Sequence, residues 1–382
     1  MKYYLIAGEA SGDLHGSNLM KGLLRSDSNA QIRFWGGDKM SSVGGTMVRH
    51  YKDTAVMGFV EVIKKASSLK RNLTDCKNDI LQWRPDVVVL IDYPGFNFRM
   101  AKFAHKHGFK VFYYIAPKVW AWKEHRVARL KKWVDKLFII FPFEQEYFRN
   151  KGIEPIYVGN PLLDSISQDP SAQEIPQSFF ERNSLPQKPI IALLAGSRKM
   201  EINYLMPIFL QFEQLLKGTE YEDYLLVLAC APSVEKSLYD SYLSNNSSIV
   251  PIYGETYSIL RHSHVAIINS GTASLEAALI GTPQIVAYGM NEISYILAKL
   301  VIKLEYVSLA NIIMKKKIFE ELLQHDCTAV NMLYQLRLLA DGAPMRNKMM
   351  QDYSQLKEVL GGEGASDKVA EEMVRIIATF VK

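Results

Sequence analysis

Short apolar runs alternate with longer amphipathic stretches along most of the 382 residues. A strand buried on both faces is apolar throughout, and its crossover helix is apolar on one side only, so this alternation predicts parallel sheets covered by helices. In the first half the runs predict strands at Tyr3–Ala7, Ile32–Trp35, Asp86–Ile91, Lys110–Ile115, Lys136–Phe141 and Ile156–Val158. Helices such as Leu14–Leu24 and Phe98–His107 lie between them. The pattern breaks at Asp164–Lys188, where Pro170, Pro176, Pro186 and several serines interrupt it, which predicts an interdomain linker over 165–188. A second series follows, with strands at Pro189–Leu194, Leu225–Ala229, Ile249–Ile252, Val265–Ile268 and Gln284–Ala287. After about Lys315 the pattern reads as helical to the end, with Ser366 as the N-cap of a last helix. The expectation is two α/β domains, 1–164 and 189–345, with helices over 346–382 packing back on an N-terminal domain. Ligands of such sheets sit beyond the carboxyl ends of the strands, here in an interdomain cleft.

Composition narrows the class. Hydrophobic residues make up 48% of the chain and charged residues 22%, as in a folded globular protein rather than a disordered or fibrous one. The net charge of +5 is too small to argue for nucleic acid, and it suits anionic ligands or an anionic membrane surface. Cys76, Cys230 and Cys327 stand far apart, without zinc-site spacing, which fits a reducing compartment. The run Tyr3–Ala7 is followed at once by Glu9 and Asp13, so it reads as a strand and not a signal peptide. No run approaches the ~18 apolar residues of a membrane span.

Candidate chemistry follows the strands. Ile267-Ile268-Asn269 leads into Ser270-Gly271-Thr272 and then a helical stretch carrying Glu276. The unpaired N–H groups and positive dipole of a helix start suit a diphosphate, with Ser270, Gly271 and Thr272 as its cradle. Glu276, one turn on, could accept both hydroxyls of a ribose. The alternative is an ordinary helix start capped by Thr272 or Ser270. A second loop, Ala195-Gly196-Ser197-Arg198, sets a guanidinium fork and backbone N–H groups at another strand end, which tilts the balance towards a nucleotide. There is no GxxxxGK[ST], no GxGxxG after the first strand and no Asp-x-Asp, so leaving-group charge is expected to be met without a metal or other cofactor.

In the first half, Gly8-Glu9-Ala10-Ser11-Gly12-Asp13 suits a sugar better than a phosphate, because Glu9 and Asp13 repel anions; helix capping by Ser11 or Asp13 is the alternative. Asp92 follows five apolar residues at a strand tip, where desolvation raises a carboxyl toward the range of a general base. Asn97 is the better cap for the helix expected from Phe98. The loop Ala116-Pro117-Lys118-Val119-Trp120-Ala121-Trp122 reads as an aromatic binding wall, and Lys123 to Lys132 as a solvated basic helix face. Met57, Phe59, Val60, Val62 and Ile63 adjoin Lys64, Lys65, Lys70 and Arg71, a pattern shared by core-facing helices and interfacial membrane patches.

Together these segments resemble the lipid-A-disaccharide synthase family. The resemblance rests on Gly8–Asp13 (GEASGD), Val56–Val62 (VMGFVEV), Ile91–Asn97 (IDYPGFN), Ala116–Trp122 (APKVWAW), Gly196–Arg198 (GSR), Ser270–Glu276 (SGTASLE), Tyr306–Asn311 (YVSLAN) and Glu320–Gln324 (EELLQ), in order over nearly the whole chain. It implies a GT-B fold of two Rossmann-like domains. It also implies an inverting transfer from UDP-2,3-diacylglucosamine to 2,3-diacylglucosamine 1-phosphate, giving a β-1,6 disaccharide 1-phosphate and UDP. Asp92 would be the base and Arg198 would neutralise the leaving group. Asn311 and Gln324 would orient the donor, and Glu9 and Ser11 a sugar. Met57, Phe59, Val60, Val62 and Ile63 would admit acyl chains and dock peripherally on the cytoplasmic face of the bacterial inner membrane. A homodimer exchanging C-terminal segments is a further implication. Ala195 and Ala310 replace a common Pro and alter loop stiffness only, whereas Asn160 stands where His is common and cannot titrate. The other readings are a different GT-B enzyme, such as a UDP-N-acetylglucosamine 2-epimerase, and a non-catalytic UDP-sugar-binding protein.

Overall fold

The computed structural model describes residues 1–54, 61–121, 123–243, 247–290 and 305–380, with the backbone alone for Thr54 and 61–67. The chain divides into two units, Met1–Ser165 with Leu360–Lys382, and Ile166–Val359.

The first unit is built on seven parallel strands: β1 (Lys2–Ala7), β2 (Gln31–Gly36), β3 (Thr46–His50), β4 (Val87–Ile91), β5 (Lys110–Tyr114), β6 (Lys136–Phe138) and β7 (Pro155–Ile156). Their order in the sheet is β3-β2-β1-β4-β5-β6-β7. Helices α1 (Ala10–Ser26), α2 (Asp38–Val43), α3 (Glu61–Trp83), α4 (Pro94–Lys106), α5 (Val127–Trp133), α6 (Phe143–Asn150) and α7 (Pro161–Ser167) connect them. Alternate strand residues feed two cores. Leu5, Val89, Ile91 and Tyr114 pack with Leu19 and Leu23 on one face, and Ile6, Val88, Leu90 and Tyr113 with Ile80, Met100 and Leu130 on the other. Strands buried on both faces are apolar at every position, which is why these runs carry so strong a signal.

The second unit repeats the plan with six parallel strands, β8 (Ile190–Leu194), β9 (Leu225–Cys230), β10 (Val250–Tyr253), β11 (Val265–Asn269), β12 (Gln284–Tyr288) and β13 (Glu321–Leu323), ordered β10-β9-β8-β11-β12-β13. Its helices are α8 (Pro176–Arg182), α9 (Lys199–Leu216), α10 (Lys236–Asp240), α11 (Thr256–Arg261), α12 (Thr272–Ile280), α13 (Leu309–Met314), α14 (Ala329–Leu338) and α15 (Pro344–Leu360). The last helix, α16 (Ala365–Phe380), belongs to the first unit and lies against α1.

Several expectations need correction. Residues 165–188 are not an open linker: after Ser165 the segment folds onto the second unit through α8, with Phe179 buried. There Arg182 pairs with Glu174 and Glu255, and Arg261 donates to the Ile166 carbonyl. Its order comes from ion pairs, which apolar periodicity does not record. The chain is not helical throughout after Lys315, because β13 adds a three-residue edge strand. The strand expected over Lys136–Phe141 stops at Phe138, since the N–H groups of Ile140 and Phe141 go to the Glu144 carboxylate. The strand near Ile156 is only Pro155–Ile156. Strand β3 was missed because Arg49 and His50 break its apolar pattern at the sheet edge. Of the C-terminal helices only α16 joins the first unit, and it begins at Ala365, so Ser366 lies inside it rather than capping it.

Candidate functional site

Each sheet has one place where strand order reverses, between β1 and β4 in the first unit and between β8 and β11 in the second. Crevices at the carboxyl ends of strands open at such switch points. Glu9, Ser11 and Asp92 follow β1 and β4 in the first unit, and Arg198 and Ser270–Thr272 follow β8 and β11 in the second.

In the first unit, β4 delivers Asp92. Asp92 and Tyr93 both take left-handed backbone (φ 44° and 46°), and Pro94 opens α4 directly behind them. Two such residues in succession cost roughly 1–3 kcal/mol each, so the fold must hold them. The Asp92 N–H donates to the Tyr114 carbonyl at 3.0 Å. The Asp92 carbonyl accepts from Asn97 Nδ2 at 2.8 Å and from the Tyr113 hydroxyl at 2.7 Å. Asn97 is therefore not a helix cap: α4 starts four residues earlier than expected, and the Asn97 amide is a buried staple beneath the turn. Neither bond uses the Asp92 carboxyl. Burial pushes that carboxyl up to about 6, opposed by the Lys118 ammonium and reinforced by Glu9.

Glu9 and Ser11 are exposed at the start of α1, with Glu9 at the N-cap position. Gly8 lies against the Tyr93 ring, and a Cβ there would meet Tyr93 Cδ1 at 2.2 Å. Asp13 is neither an α1 cap nor a loop-edge carboxylate. It is buried and accepts the N–H groups of Gly37 (2.7 Å), Lys39 (3.0 Å) and Met40 (3.0 Å), so it caps α2. Trp120 is half-buried, and its indole N–H donates to Glu144 at 2.9 Å. Trp122 lies outside the described residues, as do Met57, Phe59 and Val60; Val62 and Ile63 fall on the first turn of α3, without described side chains.

In the second unit, β8, β11, β12 and β13 are neighbours, with Leu194 beside Ile268, Asn269 beside Ala287 and Tyr288 beside Leu323. The loops bearing Arg198, Ser270–Thr272 and Gln324 thus leave one sheet edge. Gly271, not Ser270 or Thr272, is the N-cap residue of α12, in extended backbone. Gly271 and Thr272 are exposed, and among the described residues nothing lies within 4 Å of a Cβ built at Gly271. Among the described residues no side chain caps the amino end of this nine-residue helix. Glu276 lies one turn along, half-buried, accepting from the Tyr257 hydroxyl at 2.9 Å. Burial holds its carboxyl above the usual range, and Tyr257 works against that.

The Gly196–Arg198 turn differs from expectation. Its backbone N–H groups do not await an anion: those of Ser197 and Arg198 donate to Glu201 Oε2 at 3.0 and 3.2 Å. The exposed Arg198 guanidinium reaches Glu201 Oε1 at 3.2 Å. An internal carboxylate fills this helix start, so Arg198 offers its side chain alone. Glu201 was missed, although a Glu three residues past a helix cap is a readable signal.

Asn311 and Gln324 are also placed differently. Asn311 is fully buried; its Oδ1 accepts the Ile318 N–H at 2.8 Å, and its Nδ2 donates to Glu321 at 2.9 Å and to the Phe319 carbonyl at 3.2 Å. Glu321 also receives the N–H groups of Val307 and Ser308 at the start of α13. Gln324 clamps both backbone groups of Met290, and its carbonyl accepts the Tyr204 hydroxyl at 3.2 Å. Both amides are engaged in holding loop geometry. Among the described residues no group of three His, Cys, Asp or Glu side chains could hold a metal ion, and no helix is long and apolar enough to cross a membrane.

Residues 3–376 match the protein family described as lipid-A-disaccharide synthetase. The chain belongs to the lipid-A-disaccharide synthase family. It is 32% identical over 375 residues to the lipid-A-disaccharide synthase of Syntrophus aciditrophicus, covering 98% of this chain and 97% of the relative. It is likewise 32% identical over 373 residues to that of Coxiella burnetii, with 98% of both chains covered. Family membership makes the protein a hexosyltransferase of lipid A biosynthesis. The fold is that of GT-B enzymes. A Staphylococcus aureus MnaA–UDP co-structure aligns at TM-score 0.70, 14% identity and 100% and 98% coverage. The calicheamicin glycosyltransferase aligns at 0.59, 14% identity and 99% and 98% coverage.

Proposed function

We propose that the protein transfers a 2,3-diacylglucosaminyl group from UDP-2,3-diacylglucosamine to the 6-hydroxyl of 2,3-diacylglucosamine 1-phosphate, with inversion. The products are the β-1,6 disaccharide 1-phosphate and UDP. In the second unit, Ser270, Gly271 and Thr272 at the amino end of α12 bind the diphosphate and Glu276 the ribose. Arg198 neutralises charge on the departing UDP. In the first unit, Asp92 accepts the 6-hydroxyl proton while the oxygen bonds to the anomeric carbon, and the bond from that carbon to the diphosphate breaks with its electron pair going to UDP. Glu9 and Ser11 bind sugar hydroxyls. Asn311 and Gln324 act through the loops they hold. Met57, Phe59, Val60, Val62 and Ile63 take up acyl chains at the cytoplasmic face of the inner membrane.

Family membership supports the choice of acylated sugars. The observation that carries the mechanism is the Asp92 carboxyl, raised to about 6 on a turn fixed through its own backbone. A general base works best with a pKa near the operating pH. The test is incubation with both acylated glucosamines, followed by mass spectrometry. Disaccharide 1-phosphate and UDP are expected. Epimerised UDP-N-acetylglucosamine, or UDP-sugar binding without turnover, would overturn the reading.

A further inference from the structure

Strands β4, β5 and β6 are successive neighbours, with Ile91 beside Tyr114 and Tyr114 beside Phe138. The Asp92 turn is bonded to the end of β5, through the Tyr114 carbonyl and the Tyr113 hydroxyl. The residues that follow β5, Ile115 to Pro117 and Val119, are buried, and Trp120 then emerges half-buried. Its indole is fixed from the β6 side. The ring packs edge-on against Phe143 at 4.9 Å, and Phe143 stacks on Phe141 at 5.7 Å. The indole N–H donates to Glu144 Oε1 at 2.9 Å.

Glu144 is buried in the first turn of α6, just beyond the end of β6. Its Oε2 accepts the N–H groups of Ile140 at 3.2 Å and Phe141 at 3.1 Å. Its own N–H goes to the Phe141 carbonyl at 3.1 Å, and the Ile140 carbonyl accepts from Asn160 Nδ2 at 3.0 Å. The end of β6 thus fixes the carboxylate, and the carboxylate fixes the indole. A carboxylate accepts at both oxygens, whereas glutamine would turn an NH2 group toward either the indole N–H or the two backbone N–H groups. A buried carboxylate is costly unless hydrogen-bonded, and here one oxygen holds the strand end and the other holds Trp120.

We propose that Glu144 is a positioning residue for the acceptor: it fixes the Trp120 indole as the wall on which the C–H face of the acceptor's glucosamine ring stacks, across from Asp92. This rests on the acceptor lying against the first unit with Asp92 as its base. Strand β6 is two strand spacings from β4, roughly 10 Å, which leaves room for one hexose ring between a wall over β6 and a base at the tip of β4. The negative face of an aromatic ring attracts the slightly positive C–H groups of a sugar. Glu144 acts through Trp120 and does not touch the acceptor.

The test is steady-state kinetics of the full chain with both acylated glucosamines at pH 8.5, above the value of about 7 to which burial pushes the Glu144 carboxyl. Glu144→Gln and Trp120→Phe each raise KM for the acceptor roughly 2- to 10-fold, the worth of an aromatic contact, while kcat and the donor KM change little. In the double variant the rise is no larger than in Trp120→Phe alone, because Glu144 acts only through that ring. The Trp120 indole N–H resonance, assigned by its loss in Trp120→Phe, moves in Glu144→Gln, which reads the tether without turnover. An unchanged acceptor KM in Trp120→Phe, additive losses in the double variant, or a fall in kcat alone would overturn the proposal. If Glu144→Gln does not fold, Trp120→Phe decides, since it leaves the Ile140 and Phe141 bonds in place. Near-normal turnover in Asp92→Asn would instead overturn the base assignment and leave the KM comparison standing.

Discussion

At the scale of single residues, Asp92 combines strain with a displaced ionisation. Its carboxyl titrates near 6 rather than 3.8 because burial penalises the charged form. The folded state therefore holds the proton more tightly than the unfolded chain. The stability this proton provides is present below about pH 4 and is lost as pH rises through about 6. Asp92→Asn removes that cost without touching the Asn97 and Tyr113 bonds, which go to the backbone. The expected result is a variant more stable than wild type at pH 8 by about 3 kcal/mol and indistinguishable from it at pH 3.5, read by denaturant titration. Its turnover should fall ~100-fold or more while UDP still binds. Equal stability at both pH values would mean that the carboxyl is not desolvated. Gly8→Ala is the steric counterpart: the added methyl meets the Tyr93 ring, which must leave the turn. Turnover should drop with little change in the thermal stability of the second unit.

At the scale of elements, each helix start at the two sheet edges has its own anion plan. Among the described residues no side chain fills the amino end of α12, whereas that of α9 is filled by Glu201, that of α13 by Glu321 and that of α2 by Asp13. The sequence made all the strand-end loops look alike, because glycine, serine and a nearby charge serve both ligand cradles and internal caps. Only the three-residue spacing to Glu201 separated the Arg198 loop from that of Ser270. Asn311 and Gln324 could not be told from ligand-binding amides, since their partners Ile318, Glu321 and Met290 are set by tertiary packing. Asn311→Ala removes three hydrogen bonds within a buried site and should cost about 2–4 kcal/mol of stability in the second unit. A fall in donor affinity with unchanged melting would return Asn311 to the ligand. Glu201→Ala should loosen the Gly196–Arg198 turn and weaken UDP-sugar binding along with Arg198→Ala, measured by calorimetry. Unaltered affinity in Glu201→Ala would show that Arg198 needs no tether.

At the scale of the whole molecule, nearly all the central strands were legible, because burial on both faces leaves only one residue class at those positions. The edges were not: β3 and β13 are half-exposed, and polar residues dilute their pattern. The return of the last helix was legible only in part, since periodicity shows an apolar face but not which unit receives it. In the structure Val369, Met373, Ile376 and Ile377 of α16 complete the core that holds Leu19 and Leu23 of α1. Asp164 fastens the start of that helix by accepting the N–H groups of Gly364 and Ser366 at 2.6 and 2.7 Å. Burying four such side chains is worth roughly 1.5–3 kcal/mol each, a sum comparable to the ~5–15 kcal/mol that stabilises a typical domain. A chain ending at Leu360 should therefore lose the cooperative melting of its first unit. The second unit keeps all its strands, and its transition should remain and rise on adding UDP, because a ligand that binds only the folded state stabilises it. A truncated chain that melted with both transitions intact would mean that α16 adds little to the first core. Loss of both would mean that the second unit does not stand alone.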